Sequence, residues 1–378
     1  MTVHDGQPAP IAKIAFLFAN SQLIVLRMSV ILGVIFHFIG GFASGSFYMP
    51  FKKVKGWSWE SYWIIGGLFS WLIVPPLAAW ITLPGFSEII ANTPASTIRY
   101  TIIFGVLWGI GGLTYGLGVR YLGMSLGNSV VLGFCSAFGA LVPSIYYNFF
   151  PAPGKTTFME LVTTTWGQIV LAGVVMCLLG IYICGRAGVL KEREMPDEQK
   201  KKSVAEFNLV KGLFVAVTSG ILSSCFNFGI EAGKPMAETA VAMGLNPLYQ
   251  NNVTYVVLLW GGLSTNFIWC MLLNMRNKSF GDYANDKTPL LNNYTFSALA
   301  GTTWFMQFFF YGMGESKLGN GASSWILHMA FIILIANMWG IFLKEWHGVS
   351  KKTKTTIVIG IGTIILSVLV VGYGNAIK

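Results

Sequence analysis

The chain has 378 residues, of which 54% are hydrophobic and only 11% are charged, and its mean hydropathy is +0.62. Soluble proteins usually carry about 25% charged residues, so this composition excludes a soluble globular domain and indicates an integral membrane protein. The formal net charge of +10 does not indicate nucleic-acid binding, because the basic residues are scattered over short polar segments.

Ten apolar windows are long enough to cross a hydrocarbon core about 30 Å thick as helices. We number these predicted helices 1 to 10 in chain order. They lie near residues 29–49, 60–82, 99–119, 124–147, 166–186, 207–230, 248–273, 293–313, 321–343 and 355–375. The sequence therefore predicts an all-α integral membrane fold with ten transmembrane helices.

The N-terminal segment does not fit this series. Residues 11–26 are apolar but short for a span, with Lys13 inside them and Arg27 directly after. They lack the small-residue cleavage site that is typical of a secretory signal peptide. We interpret residues 1–28 as an N-terminal extension, either an interfacial helix or a segment foreign to the protein. An eleventh helix is the remaining alternative.

An internal repeat divides the ten predicted helices into two sets of five. A weaker match at an offset of 179 relates predicted helices 1 and 6, through Gly33, Gly41, Ser44 and Phe47 in the first and Gly212, Gly220, Ser223 and Phe226 in the second. The stronger match has an offset of 196, and it relates Gly105, Trp108, Tyr115, Gly116, Gly118, Leu122 and Gly123 to Gly301, Trp304, Tyr311, Gly312, Gly314, Leu318 and Gly319. Because five is odd, the two copies are predicted to lie inverted in the membrane, as in many secondary transporters.

The repeat also predicts the domain boundaries. Residues 29–190 form the first five-helix repeat, 191–206 a polar cytoplasmic linker that contains KEREMPDEQKKK, and 207–378 the second repeat. Of the 25 Lys and Arg residues, 18 fall in the loops that follow predicted helices 1, 3, 5, 7 and 9 when Arg186 and Lys211, at the ends of the adjoining windows, are included. The positive-inside rule then predicts that both termini lie outside the cell.

Two histidines lie inside predicted spans, His37 in helix 1 and His328 in helix 9. An ionisable residue in lipid is costly, so each should face a cavity or a partner. A free imidazole changes charge near pH 6.5, the range in which a proton gradient operates. We therefore interpret both as candidate proton carriers, since Glu60, Glu231 and Glu315 fall near predicted helix ends. The alternative is a neutral histidine hydrogen-bonded to a neighbouring helix.

Aromatic and amide side chains form a second set of candidates on predicted helices 1, 3, 4, 6, 8 and 9. Aromatic faces pack against the C–H faces of a sugar ring, while amides and imidazoles bond its hydroxyl groups. The alternative is that these residues serve helix packing and interfacial anchoring. The candidate substrate-binding residues are Ser44, Tyr48, Trp108, Tyr115, Asn128, Asn227, Trp304, Gln307, Phe308, Tyr311 and Trp325.

The five cysteines all fall inside predicted spans without metal-ligand spacing, and small apolar packing explains them. We therefore expect no metal, cofactor or disulfide. A membrane enzyme would need Asp, Glu, His or Ser at catalytic spacing, and the sequence has no such cluster in its spans.

Several long segments resemble the L-rhamnose–proton symporter family, within the drug/metabolite transporter superfamily. They are GVIFHFIGGFASGSFYMPFKKVKGWSWE at 33–60, VRYLGMSLG at 119–127, AEFNLVKG at 205–212, KPM at 234–236, WFMQFFFYGMG at 304–314, SSWILHMAF at 323–331 and LKEW at 343–346. The resemblance implies proton-coupled uptake of L-rhamnose, or a close deoxysugar, across a bacterial cytoplasmic (inner) membrane. It places His37, Gln307 and His328 in matching segments, whereas Glu231 stands where a neutral residue is expected.

The sequence thus predicts a monomeric, multi-pass sugar symporter that works by alternating access. Its partners are the sugar, protons and membrane lipid. The runner-up is an exporter of drugs or metabolites on the same fold, and the scarcity of membrane carboxylates speaks against one that exports cations. An integral-membrane enzyme or a receptor without transport is the disfavoured alternative from another class.

Overall fold

The computed structural model describes residues 10–122, 124–194, 209–342 and 346–378. Within these ranges one long helix, or one composite of helical segments, corresponds to each predicted span. They are α1 (Pro10–Ser46), α2 (Trp59–Gly67, Leu68–Ile73 and Val74–Thr82), α3 (Ala95–Leu122), α4 (Met124–Phe149), α5 (Thr165–Glu194), α6 (Leu209–Ala232), α7 (Asn252–Asn277), α8 (Leu290–Leu318), α9 (Gly321–Phe342) and α10 (Lys351–Ala376).

Shorter elements occupy the connections between the long helices. They are the α-helices Tyr48–Phe51, Phe86–Asn92, Phe158–Thr163 and Lys234–Ala242, and the 3₁₀ turns Pro247–Tyr249 and Ser279–Ala284. The described residues contain no β-strand, so the prediction of an all-α fold is confirmed.

Nine helical segments among the described residues are long and apolar enough to cross a membrane. They include the described part of every long helix except α8. Helix α8 buries the polar residues Asn293, Gln307 and Glu315, which lower its hydropathy. The protein is therefore a multi-pass membrane protein, while the repeat of ten spans stays a prediction.

The first helix begins further upstream than predicted. It runs without interruption from Pro10 to Ser46, so residues 10–27 continue the helix of the first span. Residues 1–9, Gly123, 195–208 and 343–345 lie outside the described residues. The predicted cytoplasmic linker falls mostly within that part, and the predicted domain boundaries remain predictions.

Helix α2 changes geometry halfway along its length. Its middle segment, Leu68–Ile73, is a π-helix that directly precedes Pro75 and Pro76. Proline has no N–H to donate to the helical ladder, and π turns are often associated with functional sites. The π segment carries Trp71, which is buried among aromatic side chains of α3 and α8.

The helices pack in two corresponding sets. Helix α1 packs against α8 and α9, and α6 packs against α3 and α4. Helix α2 packs against α8, and α7 packs against α3, while α5 and α10 pack against each other. Exchanging each helix with the one five places away reproduces these partnerships.

The two sequence offsets also relate individual contacts. A Cβ atom built on Gly33 would lie 2.8 Å from Leu318 Cγ, and one built on Gly212 would lie 2.7 Å from Leu122 Cγ. Gly212 follows Gly33 by 179 positions, and Leu318 follows Leu122 by 196. Small residues at both places let the helices approach closely.

Candidate transport site

The two intramembrane histidines come from different repeats and lie close together in the structure. His37 of α1 and His328 of α9 are fully buried, with ring centroids 6.2 Å apart. The ring of Tyr311 on α8 lies 5.3 Å from His37 and 5.2 Å from His328. Among the residues that the structure describes, none provides a hydrogen-bond partner for any of the four imidazole nitrogens.

Unpartnered buried polar groups need an explanation other than stability. Leaving such a group unsatisfied costs about 1–3 kcal/mol, and a leucine would fill the same space without that cost. Both rings retain nitrogens that can accept a proton or bond a ligand hydroxyl. We call His37, His328 and Tyr311 the imidazole cluster.

Two glycines make room for the imidazole cluster. A Cβ atom built on Gly314 of α8 would lie 2.7 Å from His37 Nε2, and one built on Gly40 of α1 would lie 3.4 Å from His328 Cε1. Glycine at these positions lets α1 approach α8 and α9 while both rings stay between the helices.

Tyr311 connects the imidazole cluster to α6 and, through α6, to α4. Its hydroxyl donates to Asn227 Oδ1 of α6 at 3.2 Å, and Asn227 Nδ2 donates to the Gly139 carbonyl of α4 at 2.8 Å. The indole of Trp325, 6.0 Å from Tyr311, donates to the Cys135 carbonyl of α4 at 3.0 Å. Three of the predicted site residues therefore join α4, α6, α8 and α9.

An aromatic cluster adjoins the imidazole cluster. Phe308 lies 6.2 Å from His328, and Trp304 lies 5.0 Å from Phe308. The ring of Trp108 on α3 is 5.6 Å from Trp304. The predicted candidates Trp108, Trp304 and Phe308 are thus brought together across the two halves.

Sequence reasoning missed two members of the aromatic cluster. Phe226 of α6 stacks on Phe308 with centroids 3.8 Å apart. Trp71 of α2 lies 5.9 Å from Trp304. Trp71 had no polar neighbour at helical spacing to mark it out, whereas Phe226 follows Ser223 by three residues and was already a matched position of the repeat.

Gln307 places an amide one helical turn before Tyr311 on α8. Its side chain is buried, and its Nε2 has no hydrogen-bond partner among the described residues. A buried amide of this kind is a donor for a ligand hydroxyl.

The structure places the other predicted residues elsewhere. Tyr115 of α3 donates to Asn128 Oδ1 of α4 at 2.7 Å, and Asn128 lines a separate cavity of about 190 Å³ between α4, α5 and α9. Tyr48 is 41% exposed and its hydroxyl lies 3.3 Å from that of Tyr62. Ser44 is half-buried on α1.

Two carboxylates near the predicted helix ends form a network with two lysines. Glu315 lies 3.3 Å from Lys234 Nζ and accepts from Asn251 Nδ2 at 2.5 Å. Glu231 lies 2.8 Å from Lys155 Nζ. We call Lys155, Glu231, Lys234 and Glu315 the charge network.

The spacing of the carboxylates could have drawn attention to them. Glu315 follows Tyr311 by four residues on α8, and Glu231 follows Asn227 by four residues on α6. Residues four apart share one face of a helix. Both carboxylates therefore lie one turn from the Tyr311–Asn227 hydrogen bond.

Comparison with known proteins identifies the relatives of this chain. The family model described as "L-rhamnose-proton symport protein (RhaT)" matches residues 26–377. A protein of Yersinia pestis (strain Pestoides F), named L-rhamnose-proton symporter, is 40% identical over 356 residues, which cover 93% of this chain and 100% of the relative. A protein of the same name from Yersinia pseudotuberculosis serotype O:3 (strain YPIII) matches with the same identity and coverage.

A multi-pass helical bundle with buried titratable groups at its centre has the form of a secondary transporter. The chain belongs to the L-rhamnose–proton symporter family. It is accordingly a transport protein of the bacterial inner membrane, and not an enzyme. The resemblance seen in the sequence is thereby confirmed.

Proposed function

We propose that the protein couples proton entry to the uptake of L-rhamnose, or a close deoxysugar, across the bacterial inner membrane. The names of its relatives support the substrate pair. The observation that carries the proposal for this chain is the buried pair His37 and His328, which has no hydrogen-bond partner among the described residues.

The pair is suited to holding one proton at a time. Two charged imidazoles at a centroid distance of 6.2 Å would repel each other. At an effective dielectric constant of about 20, two unit charges about 6 Å apart repel by about 3 kcal/mol. Binding of one proton therefore opposes binding of a second, and His37 and His328 act together as a single proton site.

The sugar binds beside this proton site. L-Rhamnose carries a methyl group where most hexoses carry a hydroxymethyl group, so one wall of its pocket should be apolar. Phe308 and Trp325 supply such surfaces, and the Gln307 amide can bond a hydroxyl group. Their positions around His328 and Tyr311 support the assignment.

Alternating access follows from two inverted five-helix halves. The equivalent packing of α1 on α8 and α9, and of α6 on α3 and α4, supports that arrangement. One proton that enters through 100 mV contributes ~2.3 kcal/mol, enough for roughly 45-fold accumulation. Because both halves belong to one chain, a monomer is sufficient for transport. Its two termini lie outside the cell in this proposal.

The charge network does not favour the alternative of a cation exporter. An exporter of cations needs a buried anion that is available to its substrate. Glu231 and Glu315 are each already paired with a lysine.

The proposal is tested with purified protein in liposomes. L-Rhamnose added outside should alkalinise the external medium with the wild type. His37→Gln and His328→Gln should each abolish this signal, whereas His347→Gln, which changes an exposed loop histidine, should leave it unchanged. Full proton-driven accumulation in both buried variants would refute the histidine assignment. A wild type that gives no signal with any hexose or deoxyhexose would refute symport itself.

A further inference from the structure

Glu315 is a buried carboxylate close to the imidazole cluster. It lies on α8 with Gln307 and Tyr311 at intervals of four residues, so the three side chains share one face of the helix. Tyr311 contacts both histidine rings. A proton carried by Glu315 would therefore be one helical turn from the residue that touches His37 and His328.

Several elements contribute polar or charged groups around Glu315. Lys234 precedes α7 on its own short helix and lies 3.3 Å from the carboxylate, and Asn251 at the start of α7 donates to it at 2.5 Å. Glu231 of α6 is paired with Lys155 of the α4–α5 connection and accepts from Tyr147 of α4. Exposed Glu238 lies on the same short helix as Lys234.

The charge network is electrically balanced with both carboxylates ionised. It contains two lysines and two glutamates. Protonation of Glu315 removes the negative partner of Lys234 and leaves the network with one excess positive charge. Transfer of that proton to another base restores two compensated ion pairs.

Polar atoms on α9 continue from the charge network towards His328. A Cβ atom built on Gly321, the first residue of α9, would lie 3.3 Å from Glu231 Oε1. Asn320 Nδ2, Ser323 Oγ and Ser324 Oγ are buried and have no hydrogen-bond partner among the described residues. Ser324 precedes His328 by four residues. Buried polar atoms without a protein partner remain able to bond a proton carrier or a ligand.

We propose that Glu315 is a second proton-carrying residue of the transporter, which exchanges its proton with the His37–His328 pair. This inference rests on the proposed proton-coupled function. In the exchange, the O–H bond of the Glu315 carboxyl breaks, the proton binds an imidazole nitrogen, and the carboxylate pairs again with Lys234. In this proposal the charge network binds the proton and does not bind the sugar.

The test separates proton coupling from sugar movement. Wild type and Glu315→Gln are reconstituted in liposomes and compared in L-rhamnose counterflow, which needs no net proton movement, and in proton-driven accumulation. For the variant, counterflow should stay within about twofold of the wild type, while accumulation should fall from roughly 45-fold at 100 mV to near equality. Glu88→Gln, which changes an exposed carboxylate in the α2–α3 connection, should leave both unchanged.

A neutral double variant guards against loss of folding. Glu315→Gln leaves Lys234 without its anion, so the variant Lys234→Met/Glu315→Gln removes both charges of the pair. It should show the same split, with counterflow kept and accumulation lost. Accumulation at the wild-type level in Glu315→Gln would overturn the proposal. Parallel loss of counterflow and accumulation in both variants would also overturn it, because Glu315 would then be structural.

The behaviour of the wild type separates a failure of the proposed proton symport from a failure of the proposed role of Glu315. If the wild type accumulates L-rhamnose with a proton gradient and Glu315→Gln does so equally, only the role of Glu315 fails. If the wild type shows counterflow but no dependence on the gradient, proton symport fails, and the role of Glu315 fails with it.

Discussion

The imidazole cluster and its counterpart between α3 and α6 share a backbone arrangement but differ in chemistry. A Cβ atom on Gly314 would lie 2.7 Å from His37 Nε2, and one on Gly118 would lie 3.2 Å from the Cα of Ala216. Gly314 follows Gly118 by 196 positions, and Ala216 follows His37 by 179. The same pair of offsets thus relates a glycine–histidine contact to a glycine–alanine contact.

The counterpart shows what this arrangement needs for packing alone. Ala216, Leu122 and Val131 form a small apolar cluster against Tyr115, and the Tyr115 hydroxyl donates to Asn128. Close helix packing therefore requires small and apolar side chains and no imidazole. The histidines of the imidazole cluster are therefore unnecessary for packing, which favours a role in transport.

The largest effect is expected when one histidine of the imidazole cluster is exchanged with the side chain at the matched position of the other repeat. His328 follows Leu132 by 196 positions, so Leu132→His/His328→Leu moves one imidazole to the corresponding place. Proton-driven accumulation in liposomes should fall from roughly 45-fold at 100 mV to near equality. Single His328→Leu should unfold at an equal or higher denaturant concentration than the wild type, because it removes an unsatisfied buried group. If proton-driven accumulation survives the exchange, positions 132 and 328 are interchangeable and the prediction is wrong.

Methyl groups added to the matched glycines should have a smaller but unequal effect. Gly314→Ala forces the His37 ring to move, and overpacking of this kind costs about 1–3 kcal/mol, or roughly five- to a hundredfold in initial uptake rate. Gly118→Ala meets a backbone atom and a methyl group at 3.2 Å and disturbs no titratable group. It should therefore lower uptake less than Gly314→Ala. Equal losses in the two variants would show that packing, and not the position of His37, limits transport.

Removal of the two tyrosine hydroxyls should have the smallest effect. Tyr311→Phe leaves Asn227 without one hydrogen bond, worth about 0.5–1.5 kcal/mol, so L-rhamnose uptake should fall roughly two- to tenfold. Tyr115→Phe removes the bond that the matched tyrosine donates to Asn128, outside the imidazole cluster, and should change uptake less. Initial rates over a range of sugar concentrations measure both. A larger loss of uptake in Tyr115→Phe would instead assign the substrate site to the surroundings of Tyr115 and Asn128.

The helices themselves could be predicted well from the sequence. Because lipid offers no hydrogen bonds to the backbone, a spanning segment must be apolar over most of its length and helical throughout. The predicted window at 166–186 lies within α5, and the one at 321–343 coincides with α9 apart from its last residue. The hydropathy pattern thus located the spans even where the observed helix ends lie several residues from the predicted ones.

Contacts between distant helices could be predicted only in part. The polar character of His37 and His328 marked them in the sequence, but their proximity depends on how α1 lies against α9. Both His37 and Tyr48 are candidate site residues on predicted helix 1. In the structure His37 is fully buried, whereas Tyr48 is 41% exposed, so the two side chains do not share a site.

The polar character of α8 has a consequence for how the protein enters the membrane. The buried Asn293, Gln307 and Glu315 would make insertion of α8 as an isolated segment unfavourable. In the folded bundle, α8 is enclosed by α1, α2, α7 and α9, and Lys234 and Asn251 reach its carboxylate. Of these neighbours only α9 is synthesised after α8, so the stable residence of α8 in the bilayer depends mainly on segments that have already emerged from the ribosome. The helix that carries most of the transport site is thus the one least able to insert alone.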